Sequence, residues 1–227
     1  MIAMRALSAL ALGAAVAACG ADVDPSSGGA STADDEIAVA ARCDREYGGK
    51  LRAKIAAARE RLVAHDTPFA RVVREALDAG RVEPLPFCKM TRSDFDELAK
   101  DTDVSALGAT RDEQYAALRR AEAPGMRSLH AQLYGYQWET RIYLAPGVSD
   151  ARMLASLAHE TIHVLRRAHE RNYDDQRVVC VEELEAYKAE RLVLKAELTA
   201  AEIDALRSEV QDLYELDKLR DGACTYR

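Results

Sequence analysis

The chain has 227 residues, 48% hydrophobic and 30% charged, with 12 Gly and 6 Pro, a balance that argues against a disordered, collagenous or multi-pass membrane protein and for one compact domain. Its 31 Lys and Arg against 38 Asp and Glu give a net charge of -7 with no basic cluster, so no nucleic-acid partner is expected. Aromatics are only 6%, while Ala, Leu, Glu and Arg are plentiful, which favours helices over a sandwich or barrel.

The first 18 residues read as an address. Arg5 precedes a 13-residue apolar run, Ala6 to Ala18, interrupted only by Ser8. A membrane span needs about 20 apolar residues, so this is the apolar region of a secretory signal. It ends Val16-Ala17-Ala18-Cys19, which resembles the lipobox of bacterial lipoproteins. That resemblance implies a signal peptide over 1–18, lipidation at Cys19, and a lipid anchor at the bacterial cell envelope facing the periplasm or exterior. The Gly, Ser, Ala and Asp-rich residues after Cys19 read as a flexible tether, giving a 19–36 linker and a folded domain over 37–227.

With Cys19 set aside, Cys43, Cys88, Cys180 and Cys224 remain, an even number suited to two disulfides in an oxidising compartment. Their separations of 45, 92 and 44 residues are unlike the close pairs of a structural zinc site. Of the three pairings, Cys43–Cys88 with Cys180–Cys224 is preferred, because each would close a helical hairpin near its open end.

Helical periodicity covers about 44–64, 68–79, 92–101 and 111–122, then 150–169, 177–197 and 199–219, with starts at Asp44, Thr67, Thr91, Thr110, Ser149 and Thr199. Pro84 and Pro86 allow a short extended piece within 81–90 but no central strand. Tyr134 to Ala145 alternates, with Tyr136, Trp138, Ile142 and Leu144 on even positions, and predicts one half-buried strand ended by Pro146-Gly147. The expected class is mainly α with a small β element.

The helix after that strand carries His159-Glu160-Thr161-Ile162-His163, an HExxH motif. Four residues make about one turn, so both imidazoles leave the same face and can share a metal ion, with Glu160 beside them to act on water. Leu154, Leu157, Ala158, Thr161 and Leu165 form the apolar stripe and the histidines lie nearly opposite, so they must meet solvent or a second helix.

A catalytic zinc takes three protein ligands and leaves one position open. His169 would reproduce the HExxHxxGxxH spacing of metzincins, but Arg166 replaces their Gly, and all five methionines lie upstream of the motif, none forming a methionine turn. The aspartate-type alternative, through Asp174 or Asp175, lacks its GTxDxxYG pattern. Glu183 is the better candidate, within Cys180-Val181-Glu182-Glu183-Leu184-Glu185-Ala186-Tyr187. It falls 20 residues after His163 and three before Ala186, which resembles the ExxA arrangement of gluzincin metallopeptidases. It shares a helix face with Val179, Ala186, Tyr187, Glu190 and Leu194, where a buried carboxylate calls for a cation. Glu182 and Glu185 remain competing registers.

The resemblance covers about 35 residues, Leu154 to Tyr187, and implies a zincin-like fold with the amphipathic strand ahead of the active-site helix. It implies Zn2+ held by His159, His163 and Glu183, Glu160 as general base, and hydrolysis of protein or peptide substrates. Tyr187, His130 or a tyrosine near the strand are candidates to stabilise the oxyanion. The alternative is a non-catalytic, lipid-anchored binding or scaffold lipoprotein with a structural metal or none.

Overall fold

Five of the six expected helix starts are real caps. Thr67, Thr91, Thr110, Ser149 and Thr199 sit in extended backbone, and each side-chain oxygen accepts from the amide three residues on. The computed structural model describes residues 33–121, 125–127, 129, 133–145, 147–166 and 176–214. Met1 to Thr32, Cys19 included, together with His130, His169, Asp174, Asp175 and Cys224, lies outside the described residues.

The helices are α1 (Ala33–Cys43), α2 (Gly49–His65), α3 (Pro68–Asp78), α4 (Arg92–Asp101), α5 (Arg111–Arg120), α6 (Asp150–Leu165), α7 (Gln176–Leu192) and α8 (Ala200–Leu213). Asp44 is not a cap. It opens a five-residue π-helical segment, Asp44–Gly48, that carries α1 into α2 without a break. Helix therefore begins at Ala33, inside the segment read as tether, where three acidic residues suit a helix N-terminus and an alanine-rich run follows. α2 stops at Asp66, whose φ of 39° is left-handed. α7 ends at Leu192, short of the expected 197, because the chain turns there to present Thr199 as the cap of α8.

Three strands form one sheet among the described residues, β1 (Glu83–Pro86), β2 (Gly135–Trp138) and β3 (Arg141–Leu144), in the order β1-β3-β2. β1 runs parallel to β3 and β2 antiparallel to it. The single strand expected over 134–145 is thus a hairpin, turned at Glu139 and Thr140 with Glu139 at φ 53°. Across a two-residue turn, residues 136 and 143 become partners, so even positions of β2 share a face with odd positions of β3. The alternation does not mark one buried face. Tyr136 and Tyr143 stack on one side at 6.5 Å, while Ile142 and Leu144 face the other.

Both faces are covered. Ile142 and Leu144 join a core with Leu62, Val73, Leu154 and Leu157 from α2, α3 and α6, whereas Tyr136 and Tyr143 join a second with Phe87, Phe95, Leu98 and Leu118. In that second core the Tyr143 hydroxyl donates to buried Asp94 at 2.5 Å, and Arg141 pairs with the same carboxylate oxygen at 3.1 Å. This ties β3 to α4. A third cluster, with Val179, Cys180, Leu184, Tyr187, Leu206 and Val210, joins α7 to α8.

The expected Cys43–Cys88 disulfide is present, fastening the end of α1 to the turn after β1. Cys180 is also disulfide-bonded, and the Cys224 half of the other expected pair lies outside the described residues. No helix among the described residues is long and apolar enough to cross a membrane.

Candidate metal centre

α6 is buried on every side from Met153 to Val164. The apolar stripe faces the first core, and the opposite face, with His159 and His163, meets α7. Of the two outcomes open to the histidines, solvent or a second helix, the fold takes the second. His159 is 1% exposed, His163 7%, and the facing Glu183 2%.

The donor atoms converge. His159 Nε2 lies 3.1 Å from His163 Nε2, with Glu183 Oε2 3.5 Å from the first and Glu183 Oε1 3.5 Å from the second, so the carboxylate faces both rings. One donor atom from each of the three residues lies within 4.8 Å of the others, close enough for all three to turn toward a common ion. Two hydrogen-bonding nitrogens and a carboxylate buried together, with Glu183 Oε2 lacking a hydrogen-bond partner, form a donor set that could hold a metal ion.

The competing registers are engaged elsewhere. Glu182 pairs with Arg166 at 3.5 Å, while Glu185 pairs with Lys188 at 2.7 Å and with Arg166 at 3.7 Å. Arg166, the residue that departs from the metzincin pattern, thus binds carboxylates of α7 next to Glu183.

Glu160 is 5% exposed. Its carboxyl group lies against Gly135 of β2, where a Cβ would stand 3.0 Å from both Cγ and Oε1. Burial raises its pKa above the usual carboxylate value; the two imidazoles oppose the shift and the Glu183 and Glu190 carboxylates add to it.

Two residues that no motif singled out, Glu190 and Arg152, stand behind the ligands. Glu190 of α7 places Oε2 3.6 Å from His159 Nδ1, and its other oxygen pairs with Arg152 at 3.0 Å. The Arg152 guanidinium lies 4.8 Å from the centre of the Tyr134 ring, at the entrance to β2. Burial alone would lower the His159 pKa, yet Glu183 and Glu190 together hold it up at about 10. Tyr187 sets its ring edge-on to His159 with centroids 4.8 Å apart, which makes it a wall of the site. Tyr214, which follows α8, packs against the cluster that joins α7 to α8.

Comparison with known proteins yields no matching family model, no matching curated protein and no matching solved structure.

Proposed function

We propose that the chain is a zinc-dependent peptidase of gluzincin type with a zincin-like active-site helix, held at the bacterial cell envelope by a lipid anchor at Cys19. The observation that carries this reading is the triangle of His159, His163 and Glu183, with a buried carboxyl group, Glu160, on the same helix face. A zinc ion held by these three residues would supply the positive charge that polarises a peptide carbonyl and acidifies water. Glu160 takes the proton from water and delivers it to the leaving amine, and its raised pKa suits both halves of that transfer.

The sheet supports a peptide as substrate. Ala145 N–H donates to Tyr134 C=O, so in this antiparallel phase Tyr136 and Trp138 bond to β3 while Gly135 and Gln137 turn their backbone groups to the outer edge. That edge passes beside Glu160, and an extended chain laid along it would bring its carbonyls near the site. The other edge, β1, carries Pro84 and Pro86 and is poorly suited to pairing. The Cys43–Cys88 disulfide agrees with an exported protein.

One observation favours a second reading, a lipid-anchored scaffold with a structural metal: the ligands are almost wholly enclosed. Metal analysis and Glu160→Gln separate the two. A peptidase carries about one zinc per chain, and the variant keeps that zinc while casein cleavage falls by about 10²–10⁴-fold. Less than half a zinc per wild-type chain, or undiminished cleavage by Glu160→Gln, overturns the peptidase reading.

A further inference from the structure

The sheet's other edge carries a second concavity, apart from the metal centre. In the order β1-β3-β2, β1 is the strand furthest from Gly135, about 10 Å away across two strand spacings. Between β1 and the start of α2 lies a groove of about 470 Å³, within the size range of small-molecule sites. Leu51, Ile55 and Ala56 of α2 form one wall, and Pro84, Leu85 and Pro86 form the other. The π-helical segment Asp44–Gly48 closes its end, a wide turn of the kind often found at functional sites.

Backbone and charge together limit what fits. Glu83 N–H donates to Thr140 C=O, so in this parallel phase Glu83 and Leu85 bond to β3 while Pro84 and Pro86 turn their backbone to the outer side. Neither proline has an N–H, so this edge is closed to an added peptide strand. Among the described residues, three cations rim the groove, Arg52, Arg59 and Lys89. Lys89 is taken by Asp44 at 2.8 Å and Arg59 by Asp78 at 3.0 Å, whereas Arg52 has no ion pair with a described residue. The Arg52 guanidinium lies back over Gly48, where a Cβ would stand 3.4 Å from Nη1.

We propose that the groove binds a small organic monocarboxylate of the fatty-acid kind, its apolar chain between Leu51, Ile55 and Leu85 and its carboxylate on Arg52. One uncommitted guanidinium matches one negative charge. A dianion such as phosphate would lack a second partner and would leave the apolar walls uncovered. The net charge of -7 repels anions in general, so a cationic rim is what admits one here. This site is independent of the metal reading above.

The test is calorimetric titration of the full-length chain with octanoate, 1-octanol and acetate, the last two carrying the apolar body and the carboxylate separately. Octanoate is expected to bind one per chain, with 1-octanol and acetate each weaker by about 10-fold or more. Ala56→Trp, at an exposed position, is expected to fill the groove and abolish binding with the melting temperature unchanged. Arg52→Gln is expected to weaken octanoate by about 10-fold, and Lys50→Gln, which removes an exposed cation outside the groove, to bind it as wild type does. The proposal is overturned by absence of saturable octanoate binding, by equal binding of 1-octanol, or by octanoate binding that is undiminished in Ala56→Trp or Arg52→Gln. An equal loss in Lys50→Gln and Arg52→Gln also overturns it, since that marks a general effect of charge. None of these outcomes bears on zinc at His159, His163 and Glu183.

Discussion

Gly135 of β2 leaves the space that the Glu160 side chain occupies: a methyl group on the glycine would press on the carboxyl group at 3.0 Å. The restriction is one of space, since Gly135 is not among the residues with left-handed backbone. Gly135→Ala should therefore fold, bind zinc as wild type does, and displace Glu160 by a fraction of an ångström. Misplacement on that scale is expected to reduce kcat/KM for casein by about 10–100-fold. Unaltered cleavage would remove Gly135 from the site.

The neighbours Glu182 and Glu183 should behave oppositely. Glu183→Ala removes a donor from the triangle and should weaken zinc by more than the about 10–100-fold typical of outer partners. Glu182→Ala breaks the pair with Arg166 and should leave zinc in place. Zinc retained by Glu183→Ala and lost by Glu182→Ala would shift the ligand to the other register.

Behind His159 stands Glu190, held by Arg152. Such a carboxylate fixes the ring so that the opposite nitrogen faces the ion. Glu190→Gln should weaken zinc by about 10–100-fold while Glu160 stays in place, so a variant reloaded with saturating zinc should regain most of its activity. Failure to regain it would assign Glu190 a role beyond positioning.

Acid should loosen the start of α8 before the core. The Lys195 ammonium, with the Thr199 amide and hydroxyl, holds the Glu202 carboxyl down to about 2 from an ordinary 4.5. A depressed carboxyl stabilises the fold above the unfolded pKa, and that contribution disappears as pH falls from about 4.5 toward 2. Hydrogen exchange at the first turn of α8, corrected for intrinsic rate, should accelerate over that window in wild type. In Glu202→Gln it should be fast throughout, and a wild-type rate that is flat across the window contradicts the prediction.

What the sequence made legible is what local chemistry determines. Thr67, Thr91, Thr110, Ser149 and Thr199 cap helices within three residues of themselves, and the one-turn spacing of His159 and His163 needs no partner to be recognised. Glu183 was legible because burial of a carboxylate among apolar residues asks for a cation. The hairpin was not, since a two-residue turn exchanges the faces of odd and even positions and leaves an alternating pattern in place. Nor was the π-helical segment after Cys43, whose Asp44 has the composition of a cap. Gly135 against Glu160 and Arg152 against Glu190 join segments far apart in the chain, and nothing in either segment alone announces the other.

The π-helical segment between α1 and α2 sets a phase. Each helical residue turns the chain by about 100°, so the added residue of a wide turn rotates everything before it relative to everything after. In this chain the offset lets Cys43 point to Cys88 while Leu51, Ala58 and Leu62 point to the sheet's other side. Deleting one residue from Asp44–Gly48 would regularise the helix and swing Cys43 out of bonding range, leaving two thiols where the protein now has a crosslink.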